Sequence, residues 1–228
     1  MPKIWNNFIV VTLFLLILES ANTEVVKNVS KGKYEVKTSI PTFSKPTPLA
    51  KFARQTSMAW ALKEHKMFIK EAEKDFPGNK KPSHPYEHDM TYRTSFYSPN
   101  LISLYFDQYE NRGGAHPNSY YHAMTFGIKN GKPQQLKLKD LFIPNSEYKR
   151  EVSEAVIAKL RKNPRAIQVQ EGEVNELTDE QLERFVVTKS GLTFLINTYE
   201  VGPHAVGRFE VKLTFAELGE DFRREWVK

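Results

Sequence analysis

The sequence predicts an α+β fold: a mostly antiparallel sheet covered by a long N-terminal helix, with a second helix between the two halves of the sheet and a short C-terminal helix. Three observations predict it. Apolar residues between 49 and 76 recur at alternating spacings of four and three, which is the period of one helical face. Residues 101–109 alternate, with Ile102, Leu104 and Phe106 against Ser103, Tyr105 and Asp107, as an antiparallel strand does. The 228 residues include no Cys, so neither a disulfide nor a thiolate metal site can stand in for an apolar core.

The first residues set the expected compartment. Lys3 precedes an apolar run from Phe8 to Leu18, 11 residues broken only by Thr12, and Glu19, Ser20, Ala21, Asn22 and Thr23 follow. A basic start, a short apolar run and small residues are the layout of a secretory signal peptide, whereas a spanning helix takes roughly 20 apolar residues. The expected organisation is a signal peptide over residues 1–23 and a single domain over 24–228. The mature chain is expected to be periplasmic or secreted, with no transmembrane span.

Within the domain, residues 24–32 read as a frayed terminus. Tyr34, Val36 and Ile40 mark a strand over 33–40 that Pro41 ends. Pro46, Thr47 and Pro48 introduce the long helix, whose face is read as Met58, Leu62, His65, Ile69, Ala72 and Phe76, and Pro77, Gly78 and Asn79 stop it. Strands follow over 86–97, 101–109 and 120–128. Ser98, Pro99 and Asn100 turn between the first two, and Asn130 and Gly131 close the third because both tolerate positive φ. Residues 136–142 make a short turn or helix. A helix over 145–162 buries Val152, Ala155, Val156 and Leu160, and Pro164 ends it. A short helix at 179–184, a hairpin of 185–188 with 192–197, a strand over 208–215 and a closing helix over 216–226 complete the chain.

Three segments, in this order, resemble a known family: Asn111-Arg112-Gly113-Gly114-Ala115-His116-Pro117, then Leu-Lys-Leu-Lys-Asp-Leu-Phe over 136–142, then 191–207 from Gly-Leu-Thr-Phe-Leu-Ile to His-Ala-Val-Gly. Together they are similar to the RsiV-like extracytoplasmic domain, which also stands beside the deacetylase domain of PdaC-type enzymes and in secreted mycobacterial antigens. The resemblance covers about residues 33–222. It implies an α+β domain outside the cytoplasm with binding as its commonest role, and in the anti-sigma members the ligand is lysozyme. Seven residues precede the apolar run, too few for a cytoplasmic sigma-binding segment, so only the kind of role is carried over.

The candidate ligand-binding residues lie on two loops. In the first, Gly113 and Gly114 open backbone angles closed to other residues, Pro117 stiffens the exit, and His116 is presented at the tip; the alternative is a tight strand connection whose His caps a carbonyl. In the second, Tyr199, Glu200, Pro203 and His204 combine aromatic, acid, imidazole and rigid backbone, as recognition loops do; the alternative is a crossover loop filling the end of the sheet. The family more often carries an aromatic residue where His204 stands. His84 and His88 have a spacing that zinc uses on a helix, but Pro85 breaks a helix there, and no metal site is expected. His65 and His122 fall on apolar faces and read as core histidines. No Gly-x-Ser-x-Gly elbow occurs, and no catalytic residue or cofactor is assigned.

The net charge of +6, with basic residues thickening between Lys51 and Lys81, suits an anionic envelope polymer or an acidic patch, or serves solubility alone. No nucleic-acid motif is present. The expected function is an exported envelope binding protein, its partner an envelope glycan or a protein such as lysozyme. The alternative is a His- or metal-dependent hydrolase acting on peptidoglycan.

Overall fold

The computed structural model describes residues 24–228 and the dipeptide Phe14–Leu15; the expected signal peptide otherwise lies outside the described residues. In chain order the first sheet comprises β1 (Phe14–Leu15), β2 (Glu24–Ser30), β3 (Tyr34–Ile40), β4 (Tyr86–Tyr97), β5 (Leu101–Asn111), β6 (Asn118–Lys129) and β7 (Lys132–Leu136), hydrogen-bonded in that order. Every pairing is antiparallel except β3 with β4. That pair is parallel because α1 (Pro48–Asp75) makes the crossover between them. A parallel pair needs such a connection, where an antiparallel pair needs only a turn.

After a 3-10 turn at Leu138–Leu141 come α2 (Tyr148–Arg161), α3 (Ile167–Gln170) and α4 (Asp179–Glu183). The strands β8 (Phe185–Thr188), β9 (Gly191–Ile196) and β10 (Phe209–Thr214) form a second antiparallel sheet, ordered β10-β9-β8. The α+β class stands, but its strands divide between two sheets instead of sharing one. The expected closing helix over 216–226 is a set of turns through Gly219, at φ +75°, ending in a 3-10 turn at Arg224–Val227.

The long helix starts where Thr47 caps it, its hydroxyl accepting the Ala50 N–H at 3.1 Å. Its buried face is Leu49, Ala50, Ala53, Ser57, Ala61, His65, Phe68 and Ala72. Of the expected face only His65 and Ala72 lie at its centre, and Met58, Leu62, Ile69 and Phe76 flank it half-buried. The bulky residues misplace the axis. Small side chains let the helix lie close to Ile40, Met90, Ile102, Leu104, Phe106, Met124 and Phe126, and Ser57 meets its own need by donating to Ala53 O at 2.7 Å.

The opposite face of β5 is buried as well. Ser103 is fully enclosed and Tyr105 nearly so, because the second sheet packs there, with Val186 and Leu195 against Tyr105. α2 then covers the second sheet, burying Val152, Val156, Ile157 and Leu160 with Phe185, Phe194 and Leu213.

Two segments depart from the expected pattern for local reasons. Residues 24–30, expected to fray, pair with β3 from Glu24↔Ile40 to Ser30↔Tyr34 around Gly32, at φ +81°; the β-branched Val25, Val26 and Val29 favour that strand. β7 follows the turn formed by Asn130 (φ +53°) and Gly131 (φ +72°). It tolerates Pro133 because it is the edge strand.

His65 is a satisfied core histidine. Its Nδ1 meets the Thr38 hydroxyl at 2.9 Å and its Nε2 meets Asn28 Oδ1 at 2.7 Å. An amide oxygen only accepts, so Nε2 carries the proton and Nδ1 accepts from Thr38. Burial pushes the imidazole down from 6.5 to about 4. The unfolded chain therefore takes up this proton first, and stability falls as pH drops from about 6.5 to about 4, by up to roughly 3 kcal/mol for this group. Urea unfolding at pH 7 and pH 5 should show the loss, and His65→Gln should lose less than the wild type over the same interval.

Candidate functional site

The first loop is fastened where it leaves β5. At the end of β5, Asn111 Oδ1 accepts the Gly113 N–H at 3.0 Å, with Gly113 at φ +68°. This turn requires the left-handed backbone that glycine adopts freely. Arg112 stacks its guanidinium over Phe68 at 4.8 Å and pairs with Glu71 of α1 at 2.6 Å and with Glu110. Residues 113–117 are exposed, and a side chain added at Gly114 would meet open space.

The second loop hangs on a buried ion pair. Arg184, 7% exposed, donates from Nη1 to both oxygens of Glu200 at 2.9 and 2.8 Å and to Leu195 O at 3.2 Å. Glu200 Oε2 also accepts the Asn197 N–H at 2.7 Å. Asn197 Oδ1 in turn accepts the Tyr121 N–H of β6 at 2.7 Å, which joins the loop after β9 to the start of β6. Within this tight turn Tyr199 is forced to φ +72°, an unfavourable region for an aromatic residue.

The two loops meet through three rings. His116 and His204 stack with centroids 3.6 Å apart and planes at 22°, and the Tyr199 hydroxyl meets His116 Nε2 at 3.0 Å. His116 Nδ1 and His204 Nε2 both reach Pro117 O, at 3.2 and 3.0 Å. A carbonyl only accepts, so both those nitrogens carry protons. Neutral His116 then accepts the Tyr199 O–H, and His204 Nδ1 keeps its lone pair without a protein partner among the described residues. Tyr199 is 54% exposed, and in neighbouring Tyr120 burial first, then Glu110, raises the hydroxyl above its usual range. The arrangement can stack on a flat apolar face while offering hydroxyl and imidazole groups at its rim.

Of the seven candidates, His116, Tyr199 and His204 come together, Gly113 shapes the first loop, and Gly114 lies in its exposed stretch. Pro203 is exposed and precedes the 3-10 turn His204–Val206. Glu200 is engaged by Arg184 and Asn197 instead of turning to the imidazoles. Sequence reasoning missed Arg184, Asn197 and the Pro117 carbonyl. An Asn two residues before a Tyr in a turn was the available signal, since Asn side chains brace turns.

His84 is exposed in its loop, while His88 points inward from β4 against Phe68 at 5.0 Å, so the two do not share a face. Among the described residues no group of three or more His, Asp or Glu is placed to hold a metal. A separate concavity of about 490 Å³ opens where β7 ends, lined by His122, Gln135, Lys137, Glu180, Glu183 and Phe185 among others. His122 stacks on Trp60 at 3.8 Å, its Nε2 is buried without a partner, and burial pushes it down to about 4. Burial raises the Glu183 carboxyl.

Two family models match the chain: one described as Deacetylase PdaC over residues 27–119, and one described as a protein of unknown function, DUF3298, over 139–216. Both agree with the resemblance read in the sequence. No curated protein matches the chain. Among solved structures, a DUF3298 family protein from Pseudomonas aeruginosa PAO1 is similar at 13% identity and TM-score 0.61, over 95% of this chain and 96% of that one. A member of the same family from Bacteroides fragilis NCTC 9343 has 17% identity and TM-score 0.49 over the same shares. The first of these shares the fold.

The strain at Tyr199 separates stability from recognition. Tyr199→Gly relieves the positive φ, worth about 1 kcal/mol, so its melting temperature should equal or exceed that of the wild type. Tyr199→Ala keeps the strain and should melt no higher than the wild type; thermal denaturation of the two variants checks the difference.

Proposed function

We propose that this chain is an exported binding protein of the cell envelope, and that it holds a cell-wall glycan or a protein such as lysozyme at the Tyr199, His116 and His204 rings. The carrying observation is the meeting of these rings from two loops, one of them under backbone strain at the contacting residue. Strain at an exposed aromatic tip, maintained by a buried brace, is a mark of a functional position. Aromatic side chains on fixed backbone also bind with little loss of conformational freedom. The N-terminal apolar run supports export. The resemblance to RsiV-like domains supports binding as the role.

Tyr199→Ala and His204→Ala should each weaken binding of chitohexaose or of immobilised lysozyme by more than about 1 kcal/mol, with melting temperatures close to wild type. Unchanged affinity in both variants would place the binding face elsewhere.

A second reading, a His-dependent hydrolase acting on peptidoglycan, is favoured by one observation. The concavity beside β7 is lined by both an imidazole, His122, and a carboxylate, Glu183, the residue types that acid and base chemistry uses. On that reading the wild type releases soluble fragments from peptidoglycan, and Glu183→Gln stops the release. No release by the wild type sinks it.

A further inference from the structure

The outer ridge of α1 carries Lys63, Lys66, Lys70 and Lys74, all exposed. Their spacings of three and four place them on one side of the helix. They span about 16 Å at the helical rise. Among the described residues none of the four is in an ion pair. The carboxylates of this half of the helix are drawn elsewhere: Glu71 to Arg112 at 2.6 Å, Glu73 to Lys33 at 2.8 Å, and Asp75 to the Tyr86 hydroxyl. Glu64 remains on the flank, half-buried.

This ridge leads toward the loop that bears His116. Phe52 packs edge-on against Phe126 and Trp60 stacks on His122, so α1 runs antiparallel to β6. Beyond Trp60 the helix crosses toward the start of β4 and the end of β5, where Phe68 stacks on His88 and lies under the Arg112 guanidinium. The Arg112 to Glu71 pair ties the same end of α1 to the loop that bears His116.

We propose that the lysine ridge binds the acidic groups of a polyanionic glycan chain whose sugar rings reach the Tyr199, His116 and His204 cluster. The proposal rests on the reading of that cluster as a glycan site. A row of ammonium groups on successive turns suits carboxylates or phosphates repeated along a polymer. An anionic bilayer fits less well, because an interfacial helix needs an apolar face for the membrane. Here that face is buried on the sheet, and Met67 is the large apolar side chain exposed on the ridge, at 42%.

The test titrates wild-type protein with a linear polyuronate and, separately, with neutral chitohexaose. Lys63→Gln/Lys66→Gln/Lys70→Gln should weaken polyuronate binding about tenfold or more and flatten its salt dependence, as loss of released counterions requires. Its melting temperature and chitohexaose affinity should stay as in the wild type. Wild-type-like polyuronate binding by the triple variant overturns the proposal. So does wild-type protein that sediments with phosphatidylglycerol vesicles but ignores polyuronate, since the partner is then a membrane. Tyr199→Ala tests the ring cluster independently. If it binds both sugars normally while the triple variant loses polyuronate, the cluster reading fails and the ridge stands as a separate polyanion surface.

Discussion

The architecture turns on one buried hydroxyl. Ser103 Oγ accepts the Val187 N–H at 2.9 Å and meets Thr125 Oγ1 at 2.8 Å. As acceptor from the amide, it is free to donate its own proton to Thr125. The contact ties the first sheet to the second in the middle of β5, with Leu101 and Tyr105 buried on either side. A polar atom left unpaired in such a place would be strongly unfavourable, whereas a fully paired one fixes a single way for two sheets to face each other. With the second sheet docked there, β5 becomes a strand buried on both faces and α2 acquires a surface to cover.

The same docking assembles the candidate site. His116 and Tyr199 are 83 positions apart and follow strands of different sheets, so nothing local brings them together. The Asn197 bond to β6 and the Arg184 to Glu200 brace set the approach. Arg184 is nearly enclosed, and a buried guanidinium without a partner would be severely destabilising, which explains why Glu200 faces inward. The brace holds the turn tightly enough to keep Tyr199 at a backbone angle that an unsupported loop would abandon.

Much of this was legible in the sequence, and the illegible parts share a cause. β4 was read with its true bounds, and the alternation of β5 was correct, because strand period and turn residues are local signals. That both faces of β5 are covered was not visible, since Ser103 and Tyr105 are compatible with either water or a second sheet. The face of α1 was read along its bulky residues, whereas close packing chose the small ones, and Ala and Ser give little hydrophobic signal. The two loops were singled out for their Gly, Pro, His and Tyr content. Their braces, Arg184 and Asn197, depend on contacts distant in sequence and could not be found that way.

The distribution of charge follows from the packing. α1 lies close to the sheet because its inner face is small, and this brings its edges within reach of cations from the loop after β5 and from the turn before β3. Arg112 and Lys33 take Glu71 and Glu73. Each of these pairs draws a carboxylate toward the body of the protein and leaves the outer lysines less compensated than the composition of the helix suggests. Half-exposed pairs of this kind add little stability. Their larger consequence is electrostatic, since they sort a helix of mixed charge into a neutralised margin and a cationic crest. Part of the net charge of +6 is thus expressed along the outer ridge of α1, where the exposed lysines stand on successive turns.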